Sequence, residues 1–210
     1  MHLTERTITS PCEVFPMWRR AQLEVNLCAR ETPPSPHGLR TTGFLTPELA
    51  EAIAEWFVGE PEPLTEDVRR AYATLELETE RLYEIARGIL GVRVEYVRTE
   101  GDPYTSAFEL CAELRDRGSM MAAICDEPHP LLSGTSVDHL RVVHDVFGHA
   151  ALGLGFDLQS EFATWLQCRT LFSETARPAA FTELVGAVTA LVVTGSKPGL
   201  RAKLPPDRLV

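Results

Sequence analysis

The sequence has no C-x-x-C pair, no H-E-x-x-H element, no cluster of lysine and arginine, and no internal repeat. Each absence removes a class of function. Its five cysteines, Cys12, Cys28, Cys111, Cys125 and Cys168, are odd in number and scattered, which argues against structural zinc, a redox pair or a disulfide framework. Reduced thiols in a cytoplasmic protein fit them. A formal charge of −10 without a basic patch disfavours nucleic acid and anionic membranes, both of which reward clustered cations. The opening Met1-His2-Leu3-Thr4-Glu5-Arg6 lacks an apolar signal core, and no apolar run is expected to approach the ~20 residues of a membrane span. With neither a repeat nor a long linker, residues 1–210 are expected to form a single domain, and 44% apolar against 24% charged residues is ordinary for a globular chain.

What is present is mostly helical punctuation. Val14, Phe15, Trp18, Leu23 and Leu27 recur at helical intervals before the Thr32–Gly38 stretch breaks the pattern with proline and glycine. Thr46-Pro47-Glu48 reads as a cap, a first-turn proline and a first-turn acid, with Leu49, Ile53, Trp56 and Phe57 as the apolar stripe. A longer helix opens at Thr65-Glu66-Asp67 and ends near Gly88 or Gly91. Val92 to Arg98 alternates with period two and predicts a strand. Asp102-Pro103 predicts a helix carrying Phe108, Leu110, Cys111 and Leu114 to a stop at Gly118, and Met120 to Cys125 predicts a second short strand. Ser136 or Asp138 can cap the next helix, and two more follow, from Asp157 to about Phe172 and from Pro178 to Val193. The fold class is therefore mainly α, with one or two short strands.

The chemistry concentrates in His144-Asp145-Val146-Phe147-Gly148-His149. Two imidazoles are good ligands for first-row transition metals, yet five residues turn an ideal helix by roughly 500°, leaving the rings about 140° apart. Convergence needs a local π-bulge, or a distortion at Gly148, where a missing Cβ permits unusual angles and close approach. His139 would extend a five-residue series, but about 280° separates it from His149, which makes it a surface or supporting residue. His129, between two prolines, is open.

Three acids compete to complete a site. Asp145 adjoins His144 and points about 100° away on a helix, which suits a supporting or general-base role. Glu183 lies in the mostly apolar Ala180-Phe181-Thr182-Glu183-Leu184-Val185-Gly186, where an uncompensated carboxylate would be costly and a metal would compensate it. Glu161 lies on a helix that begins soon after His149 and can turn back over the site; otherwise it is a solvated residue or a general base.

The His144–His149 motif, with Ala150-Ala151-Leu152 and Phe156 after it, resembles the iron-binding segment of the aromatic amino acid hydroxylases, especially the small bacterial phenylalanine hydroxylases. That resemblance covers roughly residues 105–195. It implies a hydroxylase-like catalytic core in which His144, His149 and a glutamate on a later helix bind Fe(II) as a 2-His-1-carboxylate facial triad. The family's glutamate follows a Phe-Thr pair, which favours Glu183, although one residue fewer separates Thr182 from Glu183 and the interval from the histidines is shorter.

The family's Pro-Glu-Pro-Asp sequence and upstream substrate arginine have no match in Ser133-Gly134-Thr135-Ser136-Val137-Asp138-His139-Leu140-Arg141, so Arg141 or Arg169 is left as a carboxylate partner. The expected activity is an iron-dependent monooxygenase that hydroxylates a small aromatic or amino-acid-like substrate with O2, a pterin or another donor supplying electrons. Phe147, Phe156, Trp165 and Phe181 are candidate wall residues. Two alternatives use the same ligands: a zinc-dependent hydrolase with Asp145 or Glu161 as general base, and a non-catalytic ligand-binding relative.

Overall fold

The computed structural model describes residues 44–209, so the expected helix and loop between residues 12 and 38, with Cys12 and Cys28, lie outside the described residues. Helix α1, Pro47–Val58, starts where the sequence places its cap: Thr46 accepts from the Leu49 amide, and Pro47 occupies the first turn. Helix α2, Glu66–Gly88, is capped in the same way by Thr65 and buries Val68, Tyr72, Leu75, Leu82 and Ala86. Strand β1, Arg93–Val97, pairs in parallel with β2, Ser119–Ala123, in the register Arg93 to Ser119 through Val97 to Ala123. Helix α3, Ala107–Arg117, makes the crossover that a parallel pair requires. It stops at Gly118, whose φ of 60° a side-chain-bearing residue adopts only with strain.

Helix α3 begins later than Asp102-Pro103 predicts. Asp102 instead accepts from the Tyr104 amide in a local turn, and Ser106 is the cap. Phe108, expected in the apolar stripe, is 76% exposed.

Helix α4, Gly134–His144, is capped by Ser133, not by Ser136 or Asp138. Both of those residues are occupied by partners distant in sequence. Ser136 donates to Glu76 of α2, and Asp138 accepts from the Cys125 amide just beyond β2, at 2.7 Å. These bonds fix α4 against α2 and the sheet, and α4 continues directly into a π-helical segment, Asp145–Ala150. Helix α5, Leu158–Cys168, is capped by Asp157 and runs into a 3-10 turn, Arg169–Leu171.

The last long helical run is composite: α6, Arg177–Phe181, then a second π segment, Thr182–Gly186, then α7, Ala187–Thr194. Together these 18 residues have a mean hydropathy of 1.2, long and apolar enough by composition to cross a membrane, although no uninterrupted apolar run signals it in the sequence. Half of that run is buried inside the fold, where Phe181 meets Trp165 edge to face and α7 packs on α1.

Among the described residues the fold is thus mainly helical with one two-stranded parallel sheet. Its main core gathers side chains from Leu45 to Leu209. The segment after α7 is held by long-range bonds: Tyr72 donates to the Arg201 carbonyl, Thr182 to the Lys203 carbonyl, and Lys203 to the Trp56 carbonyl.

Candidate metal centre

The π segment resolves the angular problem of the histidine pair. The Ala151 amide reaches back five residues to the Val146 carbonyl, so the widened turn stacks residue i+5 near residue i. The two Nε2 atoms consequently approach to 2.9 Å, with the rings nearly perpendicular.

Gly148 contributes through its missing side chain. A Cβ there would stand 2.0 Å from Thr164 Cγ2 and 3.3 Å from Cys168 Sγ. Only glycine therefore lets α5 lie this close to the π segment. Glu161 sits on the same face of α5, three residues before Thr164 and seven before Cys168, and so turns back over the histidines. Its Oε2 is 3.0 Å from His144 Nε2, and its Oε1 is 3.4 Å from His149 Nε2.

One donor atom from each of His144, His149 and Glu161 falls within 4.8 Å of the others, a convergence of three ligand-type side chains found at no other place among the described residues. Two donors about 2.1 Å from one ion are roughly 3.0 Å apart at a right angle and roughly 3.4 Å apart at the tetrahedral angle. The His144–His149 distance of 2.9 Å and the contacts of 3.0 and 3.4 Å that the two carboxylate oxygens of Glu161 make with one imidazole each lie close to that interval. The His149 Nδ1–H donates to the Leu154 carbonyl, which leaves Nε2 free to coordinate. His144 Nδ1 is buried without a hydrogen-bond partner among the described residues, where the ring's polar contacts are all at Nε2. The residues fit a divalent transition metal.

Electrostatics point the same way. Burial alone would raise the Glu161 carboxyl, but hydrogen bonds from His144 and His149 outweigh it and hold the group down to about 2. Burial alone would lower His149, but the Glu161 hydrogen bond and the nearby acids raise it. The carboxylate thus stays ionised over the range in which imidazoles compete between protons and metal. Burial pushes the Cys168 thiol up strongly, so that sulfur serves as apolar filling behind Gly148.

The site opens into a cavity of about 860 Å³ whose wall includes Asp102, Arg141, His144, Asp145, His149, Phe156 and Glu161. Asp145 is no member of the donor triangle. It faces the cavity, and burial pushes its carboxyl up to about 6 against the pull of the two histidines. Arg141 donates to the Ala123 carbonyl at the cavity wall, whereas Arg169 is exposed and takes no part in that wall. Phe156 meets His149 edge to face, while Phe147, Trp165 and Phe181 are fully buried in the core.

Glu183, the favoured carboxylate on sequence grounds, is corrected by this geometry. It accepts from the Tyr72 hydroxyl at 2.7 Å and lies 3.2 Å from His129 Nε2. The Leu131 and Leu132 amides donate to His129 Nδ1, which places a proton on Nε2 for the Glu183 carboxylate. The buried charge is compensated by two side-chain donors, and no metal is needed for it. His139 also departs from expectation: it is buried, stacked on Tyr83 at 3.5 Å, with Nδ1 2.7 Å from Glu80. Sequence reasoning missed Tyr72 entirely, whose hydroxyl was hidden in an apolar helical stripe.

No family model, curated protein or solved structure matches the chain.

Proposed function

We propose that the protein is a mononuclear non-heme iron oxygenase, similar to the aromatic amino acid hydroxylases, that holds Fe(II) through His144, His149 and Glu161 and hydroxylates a small aromatic or amino-acid-like molecule. The observation that carries this reading is the convergence of two imidazoles and one carboxylate on one side of an open cavity. The His-Asp-Val-Phe-Gly-His motif supports an oxygenase core over other metalloproteins. In this reading the carboxylate comes from α5, twelve residues after His149, and not from the later helix used by the family.

Bound iron would supply the activation of O2, and insertion of one oxygen atom with reduction of the other to water consumes two electrons from a reduced pterin or another two-electron donor. The chain's own residues position and shield. The Leu154 carbonyl keeps His149 in the tautomer that presents Nε2, and the Glu161 carboxylate balances the cation's charge. Arg141, fixed at one nitrogen by the Ala123 carbonyl, offers its remaining donors to a substrate carboxylate. Phe156 gives the cavity an aromatic wall beside the ligand ring.

A zinc hydrolase draws on one specific observation: Asp145, outside the donor group, lines the same cavity next to His144, where a general base would stand. Metal analysis of natively purified protein, followed by anaerobic reconstitution, separates the two. Iron in the purified protein, with substrate oxidation restored by Fe(II) and abolished without O2, is the expected result. Zinc content with O2-independent turnover would overturn the oxygenase in favour of the hydrolase. No metal at all would leave a ligand-binding protein.

A further inference from the structure

His144 and His149 share one continuous helical run, whereas Glu161 rides on a separate helix, α5. How α5 is mounted therefore decides whether the donor triangle closes. One mount is the close approach of Thr164 and Cys168 to the single residue Gly148. Such a contact sets the separation of the two helices and leaves their tilt free. At 1.5 Å of rise per residue Thr164 lies about 4.5 Å along the axis from Glu161, so a tilt of about 5° around that contact shifts the Glu161 backbone by roughly 0.4 Å. Metal–ligand distances tolerate only about ±0.2 Å.

A second mount lies on the other side of Glu161. The Gln159 side chain pairs with the main chain of Leu45 in both directions: the Leu45 amide donates to Oε1 at 3.1 Å, and Nε2 donates to the Leu45 carbonyl. A side-chain amide supplies that acceptor and donor together. The partners are 114 positions apart, and among the described residues no other hydrogen bond joins the first turn of α5 to a segment other than the two histidines. Gln159 is itself exposed, but Leu45 is 3% exposed, belongs to the main core and directly precedes the Thr46 cap of α1. The pairing thus ties the start of α5 to a fixed point of the fold.

We propose that Gln159 is a positioning residue for the metal centre: its two bonds to Leu45 and the Gly148–Thr164 contact hold α5 on either side of Glu161 and keep the carboxylate at ligand distance. The inference rests on the metal-site reading of His144, His149 and Glu161, and adds to it a residue that lies outside both the donor triangle and the cavity lining.

The test measures Co(II) affinity, by titration against a competing chelator, together with the visible Co(II) spectrum, in the full chain. Gln159→Met keeps the length and helix propensity of the side chain and removes both bonds. It should bind Co(II) roughly 10–100-fold more weakly than the parent, the range for residues that orient ligands, with altered visible bands. Thr46→Ala removes the α1 cap beside Leu45 and leaves the pairing with Gln159; it should lower the melting temperature while affinity stays within about twofold and the bands are unaltered. In a Glu161→Gln background, where the carboxylate is already gone, Gln159→Met should change Co(II) affinity by less than about twofold, because the pairing acts through Glu161.

Parent affinity and parent bands in Gln159→Met, whatever its melting temperature, would overturn the positioning role. An equal loss of affinity in Thr46→Ala would overturn it too, since any loosening of the fold would then suffice, and so would a loss that persists in the Glu161→Gln background. A parent protein that binds no Co(II) would refute the metal-site reading and this inference with it, whereas a parent that binds Co(II) beside an unaltered Gln159→Met refutes the positioning role alone.

Discussion

Replacing Gly148 by alanine asks whether the metal centre depends on the close approach of α5. The added methyl would begin 2.0 Å from Thr164 Cγ2, whereas carbon atoms rest about 3.5–4.0 Å apart. The π segment and α5 must therefore separate by roughly 1.5 Å, or Thr164 must leave its rotamer. Overpacking of this kind costs about 1–3 kcal/mol of stability. The effect on the site is more specific, because metal–ligand distances tolerate only about ±0.2 Å and Glu161 moves with α5. Metal affinity should fall by roughly 10–100-fold, the range typical when residues that position ligands are lost.

Thr164→Ser provides the matching rescue. It deletes Cγ2 while keeping the hydroxyl that donates to the Ser160 carbonyl, and the nearest remaining atoms would stand 3.3 and 3.4 Å from the new Cβ. The double variant should regain most of the lost affinity, giving a coupling of about 0.5–3 kcal/mol in a cycle of metal titrations against a competing chelator. Unchanged metal affinity in Gly148→Ala, or strictly additive effects in the cycle, would refute the role assigned to this contact.

Two further outcomes are expected. Glu161→Ala should lose metal by more than roughly 100-fold, while Glu183→Ala should keep affinity within about twofold and lower the melting temperature, since the buried His129 donor it orphans costs about 1–3 kcal/mol and Tyr72 keeps only its longer bond to the Arg201 carbonyl; equilibrium dialysis and thermal unfolding of both variants check this, and the opposite pattern would return the ligand role to Glu183. In metal-free protein, Glu161 has a folded value of about 2, below its ordinary 4.5, so its stabilisation is present above pH 4.5 and lost as pH falls from there towards 2. On the order of 3 kcal/mol is involved, and Glu161→Gln should flatten that limb of an acid-denaturation series; an unchanged limb would contradict the ion pair.

Much of the fold was legible because its signals are local. Thr46-Pro47, Thr65 and Asp157 mark helix starts through contacts that each residue makes within its own first turn. The alternation of β1 and the stop at Gly118 are equally local. Within the motif, spacing alone showed that a regular helix could not converge the histidines, and of the two devices left open, a π-bulge or a distortion at Gly148, the structure has a π-helical segment.

The carboxylate that the structure brings to the histidines differs from the one the sequence favoured, for a physical reason. Glu183 advertised an uncompensated charge in an apolar helix, but its partners Tyr72 and His129 lie 111 and 54 positions away, and no spacing rule reports them. Glu161 was a competing candidate on a helix able to turn back over the site, but nothing in its own segment set it apart from a solvated polar-face glutamate. The signal that would have found it is the pairing of a bare Gly148 with the Glu161, Thr164 and Cys168 face of the next helix, a close-approach surface that carries an acid at one end.

The donor triangle and the Tyr72–Glu183 bond impose very different demands on chain closure. Only 17 positions separate His144 from Glu161, against 111 between Tyr72 and Glu183. With closure entropy growing as the logarithm of loop length, the longer closure costs about 1.7 kcal/mol more. The candidate centre is therefore a short-range structure, one hairpin of helix, loop and helix, whereas the bonds that tie α2 and the final segment around it are long-range. Opening those outer bonds does not by itself separate the three metal donors, so loss of global stability and loss of the site are separable events in this topology.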